Sequence, residues 1–349
     1  MSEPRLAILT EGLFDDHHAK TAHGVIRYGT REVVAVVDST QAGRTASEVV
    51  PFCERPVPIV ATLEEAVERG ANTMLIGIAP TGGKLDSAWR ARVLEAIDRG
   101  LDVEAGLHTI MAEDPEFSAA AEAKGVTLRD LRVAPADLGV PSGISRRPGL
   151  KVVHSVGSDV AIGKKAVTLE LDMVARRHGL SSVYVPTGQT GIAIAGWGIA
   201  VDHVLSDYVS GAAERLVIEG GERGDLLFVE GQGCLYHPAY SAVTLGLLHG
   251  SLADALVLAH KAGATHLAGY DVAIPPLGEL VSAYESISRP LRPTRVAAIA
   301  LNTAGLDDEA ARRAVEEAEA ETGLVADDLV RFGPDRVLAA VLSSLEAPV

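Results

Sequence analysis

Only two cysteines occur in 349 residues, Cys53 and Cys234, and they fall in different halves of the chain. That excludes a disulfide-stapled scaffold and a cysteine-based zinc site. No apolar run reaches the roughly 20 residues needed to cross a bilayer, and Met1-Ser2-Glu3-Pro4-Arg5 leads into the first apolar run without a signal-peptide pattern. A soluble, cytoplasmic protein with no membrane partner is expected. Basic residues are in deficit, 31 Lys and Arg against 47 Asp and Glu, for a formal charge of −16. Nucleic acid is bound through basic surface, so it is not expected as a partner. The acidic balance suits a saline cytoplasm and, equally, an ordinary acidic enzyme. Repeats and low-complexity segments are absent. So is any Gly-x-Gly-x-x-Gly after the first strand-like run, which argues against a nicotinamide site although Asp38 stands where a dinucleotide fold puts its ribose-binding acid. Asp15-Asp16-His17-His18 and His23 fit no standard zinc spacing, and a charged helix start explains them more cheaply.

What is present is an alternation of short aliphatic runs with helical ones, in a chain that is 47% hydrophobic and long enough for two cores. Runs such as Leu6-Ala7-Ile8-Leu9, Val33-Val34-Ala35-Val36-Val37 and Met74-Leu75-Ile76-Gly77-Ile78 predict buried parallel strands separated by amphipathic helices. The stretch 134–149 breaks that rhythm with Pro135, Gly139, Pro141, Gly143 and Pro148. Two α/β domains are therefore predicted: a Rossmann-like parallel-sheet domain over 1–140, and a P-loop NTPase-like parallel-sheet domain over 141–349 with a helical C-terminal part. In the second, strands are expected at 151–156, 182–185, 226–230, 255–259 and 295–301.

The segment Gly157-Ser158-Asp159-Val160-Ala161-Ile162-Gly163-Lys164-Lys165 follows the first of these strands and opens a run with helical spacing. Strand, glycine loop and helix together make a phosphate site, because backbone N–H groups and the positive end of the helix dipole converge on one place. Five residues separate the outer glycines, which resembles the longer loop of dethiobiotin synthetase and its relatives. Nucleotide hydrolases follow the loop lysine with Ser or Thr, whose hydroxyl binds magnesium. Here Lys165 takes that position, and an ammonium has no lone pair to give a cation. The loop can cradle phosphates, but the apparatus for cleaving ATP is damaged. Lysine is rare in this chain, so the pair Lys164-Lys165 is pointed.

Ligands bind beyond the carboxyl ends of parallel strands, and the polar, glycine-rich segments of the second domain fall at those ends. Glu230, after Leu226-Leu227-Phe228-Val229, could orient a metal or water or take a proton from an amine, or only cap the following turn. His237, in Gly233-Cys234-Leu235-Tyr236-His237-Pro238, is an acid–base candidate or a hydrogen-bonded structural residue. Asp159 could meet a cation or ligand amine, or hold its own turn. Asn302 could read a purine or cap a strand end. His249 and Ser251 lead toward the next strand, and Asp254 reads as structural. In the first domain Lys84, in Thr81-Gly82-Gly83-Lys84, could face an anionic substrate or be an exposed turn residue.

Over nearly its whole length the chain resembles a two-domain phosphate-loop family long catalogued as a conserved domain of unknown function, some of whose members are D-glutamate N-acetyltransferases. The resemblance rests on Ala19-Lys20-Thr21-Ala22 with Arg27-Tyr28, on Gly77 to Gly83, and on Gly106-Leu107-His108. In the second half it rests on Gly157 to Lys164, Thr187-Gly188-Gln189-Thr190-Gly191, Val229-Glu230-Gly231-Gln232-Gly233, His237-Pro238, Thr244-Leu245 and Leu248-His249-Gly250-Ser251. It implies acetyl transfer from acetyl-CoA to an acidic amino acid, D-glutamate or else D-glutamine, in D-amino-acid catabolism, with no metal required. It also implies Gly157, Ser158, Gly163, Lys164 and Lys165 as cofactor contacts, with Asn302 beside them. Glu230, or failing it His237, would accept the amine proton. Gln189, Thr190 and Gln232 would orient substrate, and Lys20, Arg27 or Lys84 would meet its carboxylates. Two alternatives of other classes stand beside this: an ATP- and magnesium-dependent ligase using Asp159 and Glu230, against which Lys165 speaks, and a non-catalytic nucleotide or CoA sensor. A homo-oligomer is the default expectation.

Overall fold

Runs of Val, Ile, Leu and Ala with no polar alternation are strands covered on both faces, and they assemble here into two all-parallel sheets. The structure is a computed structural model that describes residues 3–78, 85–143 and 146–347. By internal contacts the chain divides into two compact units, one of residues 1–133 with 188–200, the other of residues 134–187 with 201–349. Among the described residues no helix is long and apolar enough to cross a membrane.

The first unit carries strands β1 (Arg5–Leu9), β2 (Glu32–Val37), β3 (Ile59–Val60), β4 (Thr73–Ile76), β5 (Asp102–Ala105) and β6 (Leu128–Asp130) in the order β3-β2-β1-β4-β5-β6, the doubly wound order of a Rossmann-like sheet. Asp38, just past β2, is fully buried; its carboxylate accepts from Thr10 Oγ1, Phe14 N, Thr40 N and Thr40 Oγ1 at 2.6–3.2 Å. Burial opposes its ionisation, but bonds from Thr40, Gly12 and Phe14 outweigh that and hold Asp38 below the usual carboxylate range. It is spent on its own turn.

The helix Gln189–Ala195 lies late in the sequence yet packs with this first unit. Buried Glu104 takes Arg31 at 2.8 Å and Arg129 at 3.0 Å. Both arginines also donate to carbonyls at the end of that helix, Arg31 to Ala193 O and Arg129 to Gly196 O. Helix C-termini welcome cations, and a carboxylate between the two arginines keeps them aimed. Gly106 makes the close approach possible, because a Cβ there would stand 2.7 Å from Gln189 Cγ.

The second unit carries β7 (Lys151–Gly157), β8 (Ser182–Val185), β9 (Leu226–Val229), β10 (Ala255–Lys261), β11 (Arg295–Asn302) and β12 (Val325–Asp327) in the order β12-β11-β10-β7-β9-β8. The ends differ from the sequence expectation by a residue or two: Gly157 closes β7, Glu230 lies just outside β9, and Asn302 ends β11. The short β12 was hidden in a helical stretch. One side of the sheet packs Val153, Phe228, Val257 and Ala298 against Val167, Leu171 and Val174 of the helix Lys164–Arg177 and Val337 and Val341 of the helix Asp335–Glu346. β7 is flanked by β9 on one side and β10 on the other. The chain thus changes sides about β7, and the crevice beyond its carboxyl end is where such sheets bind ligands.

Candidate active site

The glycine loop is held by bonds from every side. Tyr284, fully buried, donates its hydroxyl to Gly157 O at 2.6 Å and accepts from Gly157 N and Leu235 N at 3.4 Å. Ser158 N donates to Ala259 O at 3.0 Å, and its Oγ pairs with His260 Nδ1 at 2.8 Å. Asp159 accepts from Val160 N at 2.7 Å through one oxygen and from Ala268 N at 2.8 Å through the other. Asn302 Nδ2 donates to Ile162 O at 3.1 Å while its Oδ1 accepts from Ala304 N. Ala161 and Gly163 take positive φ, +55° and +110°, and so turn the loop into the helix N-terminus.

Lys164 opens that helix and folds back over the loop, its Nζ donating to Asp159 O at 2.6 Å. It runs across Gly157, where a Cβ would meet its Cδ and Nζ at 3.1 Å and Ile162 Cδ1 at 2.9 Å. Burial pushes the Lys164 ammonium down to about 8, although Cys234, Asp159 and Glu230 pull it back.

Lys165, the next residue, is 31% exposed and sets its Nζ 3.6 Å from Glu230 Oε1. Glu230 itself is buried, and its other oxygen accepts from Tyr184 OH at 2.7 Å and Thr187 N at 3.2 Å. Its backbone is fixed as well, N–H to Val185 O and C=O from Thr187 Oγ1. The carboxylate is tied down by these bonds, whereas the lysine facing it is partly exposed.

The other sequence-predicted residues fall in several places. His237 is buried; Nδ1 accepts from Ala239 N at 3.3 Å, so Nε2 carries the proton and donates to Ala268 O at 3.2 Å. The ring stacks on Tyr240 at 4.7 Å and meets the edge of Tyr270 at 5.1 Å. Both nitrogens are thus engaged, Nδ1 within its own turn and Nε2 on the segment around Ala268, which Asp159 also holds from the loop. Gln232 Nε2 donates to Thr187 O at 2.6 Å and ties the loop after β9 to the loop after β8. Asp254 takes Arg146, Arg292 and Val152 N.

Gln189 and Thr190, expected on the rim of the second sheet, belong to the first unit, where Thr190 Oγ1 meets Thr21 Oγ1 at 3.1 Å. In the same unit Lys20 opens the helix Lys20–Tyr28 and Arg27 pairs with Glu54 and stacks over Phe52. Lys84 lies outside the described residues. Asp16, His17 and His18 bring one ligand atom each within 4.8 Å of the others, and Asp16 also caps its turn by accepting from His18 N at 2.8 Å. Sequence reasoning missed Tyr184, Tyr284 and His260: Tyr184 lies inside an apolar strand, His260 near the end of another, and Tyr284 in a helix with polar neighbours.

A Rossmann-like parallel sheet followed by a parallel sheet with a glycine loop and helix define the class, a two-domain α/β protein with a P-loop-like second domain. Residues 39–134 match the Rossmann-like domain, and residues 140–338 the P-loop domain, of the family described as a domain of unknown function, DUF1611. The chain belongs to the DUF1611 family. It is similar to a D-glutamate N-acetyltransferase of Tritonibacter scottomollicae, 38% identical over 80% of this chain and 84% of that one. It is also similar to a D-glutamate N-acetyltransferase of a Pseudoalteromonas species, 33% identical over 79% and 82%. The crystal structure of a DUF1611 family protein from Anabaena variabilis superposes with a TM-score of 0.88 at 40% identity, covering 97% of this chain and 99% of that one.

Proposed function

We propose that this chain is an N-acetyltransferase that moves the acetyl group of acetyl-CoA to the α-amine of an acidic amino acid, D-glutamate foremost. The observation that carries the reading is the Lys165 ammonium beside Glu230, in the place where phosphate-loop hydrolases set a magnesium-binding hydroxyl. A loop with two adjacent lysines suits a ligand whose phosphates are held and never cleaved. Coenzyme A, with a pyrophosphate and a 3′-phosphate, is such a ligand. The names of the two relatives support the choice of acetyl group and acceptor.

In this reading the loop N–H groups, Lys164 and Lys165 hold the phosphates of the co-substrate, and Asp159, Asn302 and Tyr284 keep the loop in shape. Glu230 is the proton acceptor. The neutral amine attacks the thioester carbonyl, forming the C–N bond; its surplus proton passes to a Glu230 oxygen. As the C–S bond breaks, that proton goes on to the leaving thiolate, so amine and thioester become amide and thiol with Glu230 restored. Backbone N–H groups of a glycine-rich turn would steady the oxyanion, worth about 3 kcal/mol for one donor.

The test is thiol release from acetyl-CoA with D-glutamate, L-glutamate and D-glutamine supplied separately, with the N-acetyl product identified by mass. Release with D-glutamate supports the reading and gives its handedness. Silence with every amine, alongside nucleotide-dependent turnover of a carboxylic acid, overturns it in favour of a ligase.

A further inference from the structure

Lys165 has two competing counter-charges. One is Glu230 Oε1, 3.6 Å away, inside ion-pair range and beyond hydrogen-bond range. The other is any phosphate on the N-terminus of its own helix, of whose first turn Lys165 is part. Glu230 cannot follow the lysine, because Tyr184 OH and Thr187 N fix its second oxygen and two backbone bonds fix its main chain. Moving Lys165 toward a phosphate therefore parts it from Glu230, and the carboxylate and the phosphate compete for one ammonium.

We propose that a ligand bearing a pyrophosphate takes Lys165 from Glu230 without any metal, so that the phosphate loop and the buried carboxylate contest a single ammonium. This rests on the acetyl-CoA reading for the identity of the ligand and on Lys165 and Glu230 alone for the contest. Lys164 does not substitute in this role, since its Nζ is bound to the loop carbonyl of Asp159. Besides Lys164, whose ammonium the Glu230 charge also favours, Glu230 meets the donors Tyr184 OH and Thr187 N.

A double-mutant cycle read by titration calorimetry in chelator tests it, with coenzyme A and, separately, ADP as probes. Glu230→Gln removes the competing charge and keeps the shape, so coenzyme A binds about three- to tenfold tighter. Lys165→Met binds about tenfold weaker. The double variant matches Lys165→Met, because the gain exists only while the lysine does. Should the glutamine variant not fold, Glu230→Asp, which withdraws the charge by one methylene, gives a smaller tightening of the same sign. No tightening in any Glu230 variant, or a tightening that survives Lys165→Met, overturns the proposal. The full cycle with ADP and no binding of coenzyme A supports the contest for Lys165 and removes the acetyl-CoA reading; coenzyme A binding without the cycle does the reverse.

Discussion

Lys165 Nζ stands 3.6 Å from Glu230 Oε1, so an ammonium joins the two elements that phosphate-loop hydrolases join through magnesium. In those enzymes the hydroxyl after the loop lysine and the acid at the end of a neighbouring strand share one divalent cation. Here the cation is covalently part of the chain. It carries one charge, needs no carboxylate cage, and cannot polarise a phosphoryl group for transfer as a metal does.

Lys165→Thr restores the hydroxyl and deletes the built-in cation. Binding of coenzyme A then weakens about tenfold, the loss of one charge-assisted contact, and ADP binding becomes more dependent on magnesium than in the natural chain. Calorimetry with and without magnesium checks both; a variant as indifferent to magnesium as the natural protein contradicts the account.

Glu230→Gln keeps the bond from Tyr184 and removes the proton acceptor. Turnover falls by about a hundredfold or more, the usual range for a general base, while the affinity for coenzyme A does not fall. Initial rates of thiol release, together with the binding constant, separate the two effects. A variant with full turnover removes Glu230 from the chemistry.

Lys164 sets a pH dependence. Burial pushes its ammonium down to about 8, from an ordinary value of 10.5. Between those values the unfolded chain holds more proton than the folded one, so this group's contribution to stability rises with pH across that window. A bound phosphate works the other way, since it favours the charged form. Affinity for coenzyme A therefore falls above pH 8, by up to about tenfold per unit for one linked proton, and binding near that pH takes up a proton. Calorimetry in buffers of different ionisation enthalpy measures the uptake; an affinity that is flat from pH 7 to pH 9 contradicts it.

Tyr284→Phe tests what holds the loop. The hydroxyl serves Gly157 O, Gly157 N and Leu235 N in a fully buried place. Its loss leaves those groups short of a partner and costs about 1–3 kcal/mol, read as a lower urea midpoint with an unchanged slope. Unchanged stability argues that the loop supports itself.

The parts of the site legible in the sequence were the contiguous ones. Strand, glycines and lysines follow one another from β7 into the helix Lys164–Arg177, and local geometry dictates what their N–H groups do. Glu230 was legible as a strand-end acid, but its facing Lys165 was not, because sequence names both residues without saying that they meet. Asp159 and Asn302 read as ligands or as props, and His237 more readily as a prop than as an acid–base group. The choice between those turned on partners far along the chain, such as Ala268 N and Ile162 O. The placement of the helix Gln189–Ala195 was illegible for the same reason: its carbonyls are claimed by Arg31 and Arg129, which Glu104 aligns. The Rossmann-like and P-loop sheets, by contrast, were carried by aliphatic runs and glycine punctuation that no distant partner is needed to interpret.

The most direct measurement is the rate of thiol release from acetyl-CoA with D-glutamate in the presence of excess chelator, set against the same assay with added magnesium. A lysine that does the joining predicts equal rates in both. A rate that vanishes in chelator and returns with magnesium would contradict the claim that Lys165 has taken the metal's place.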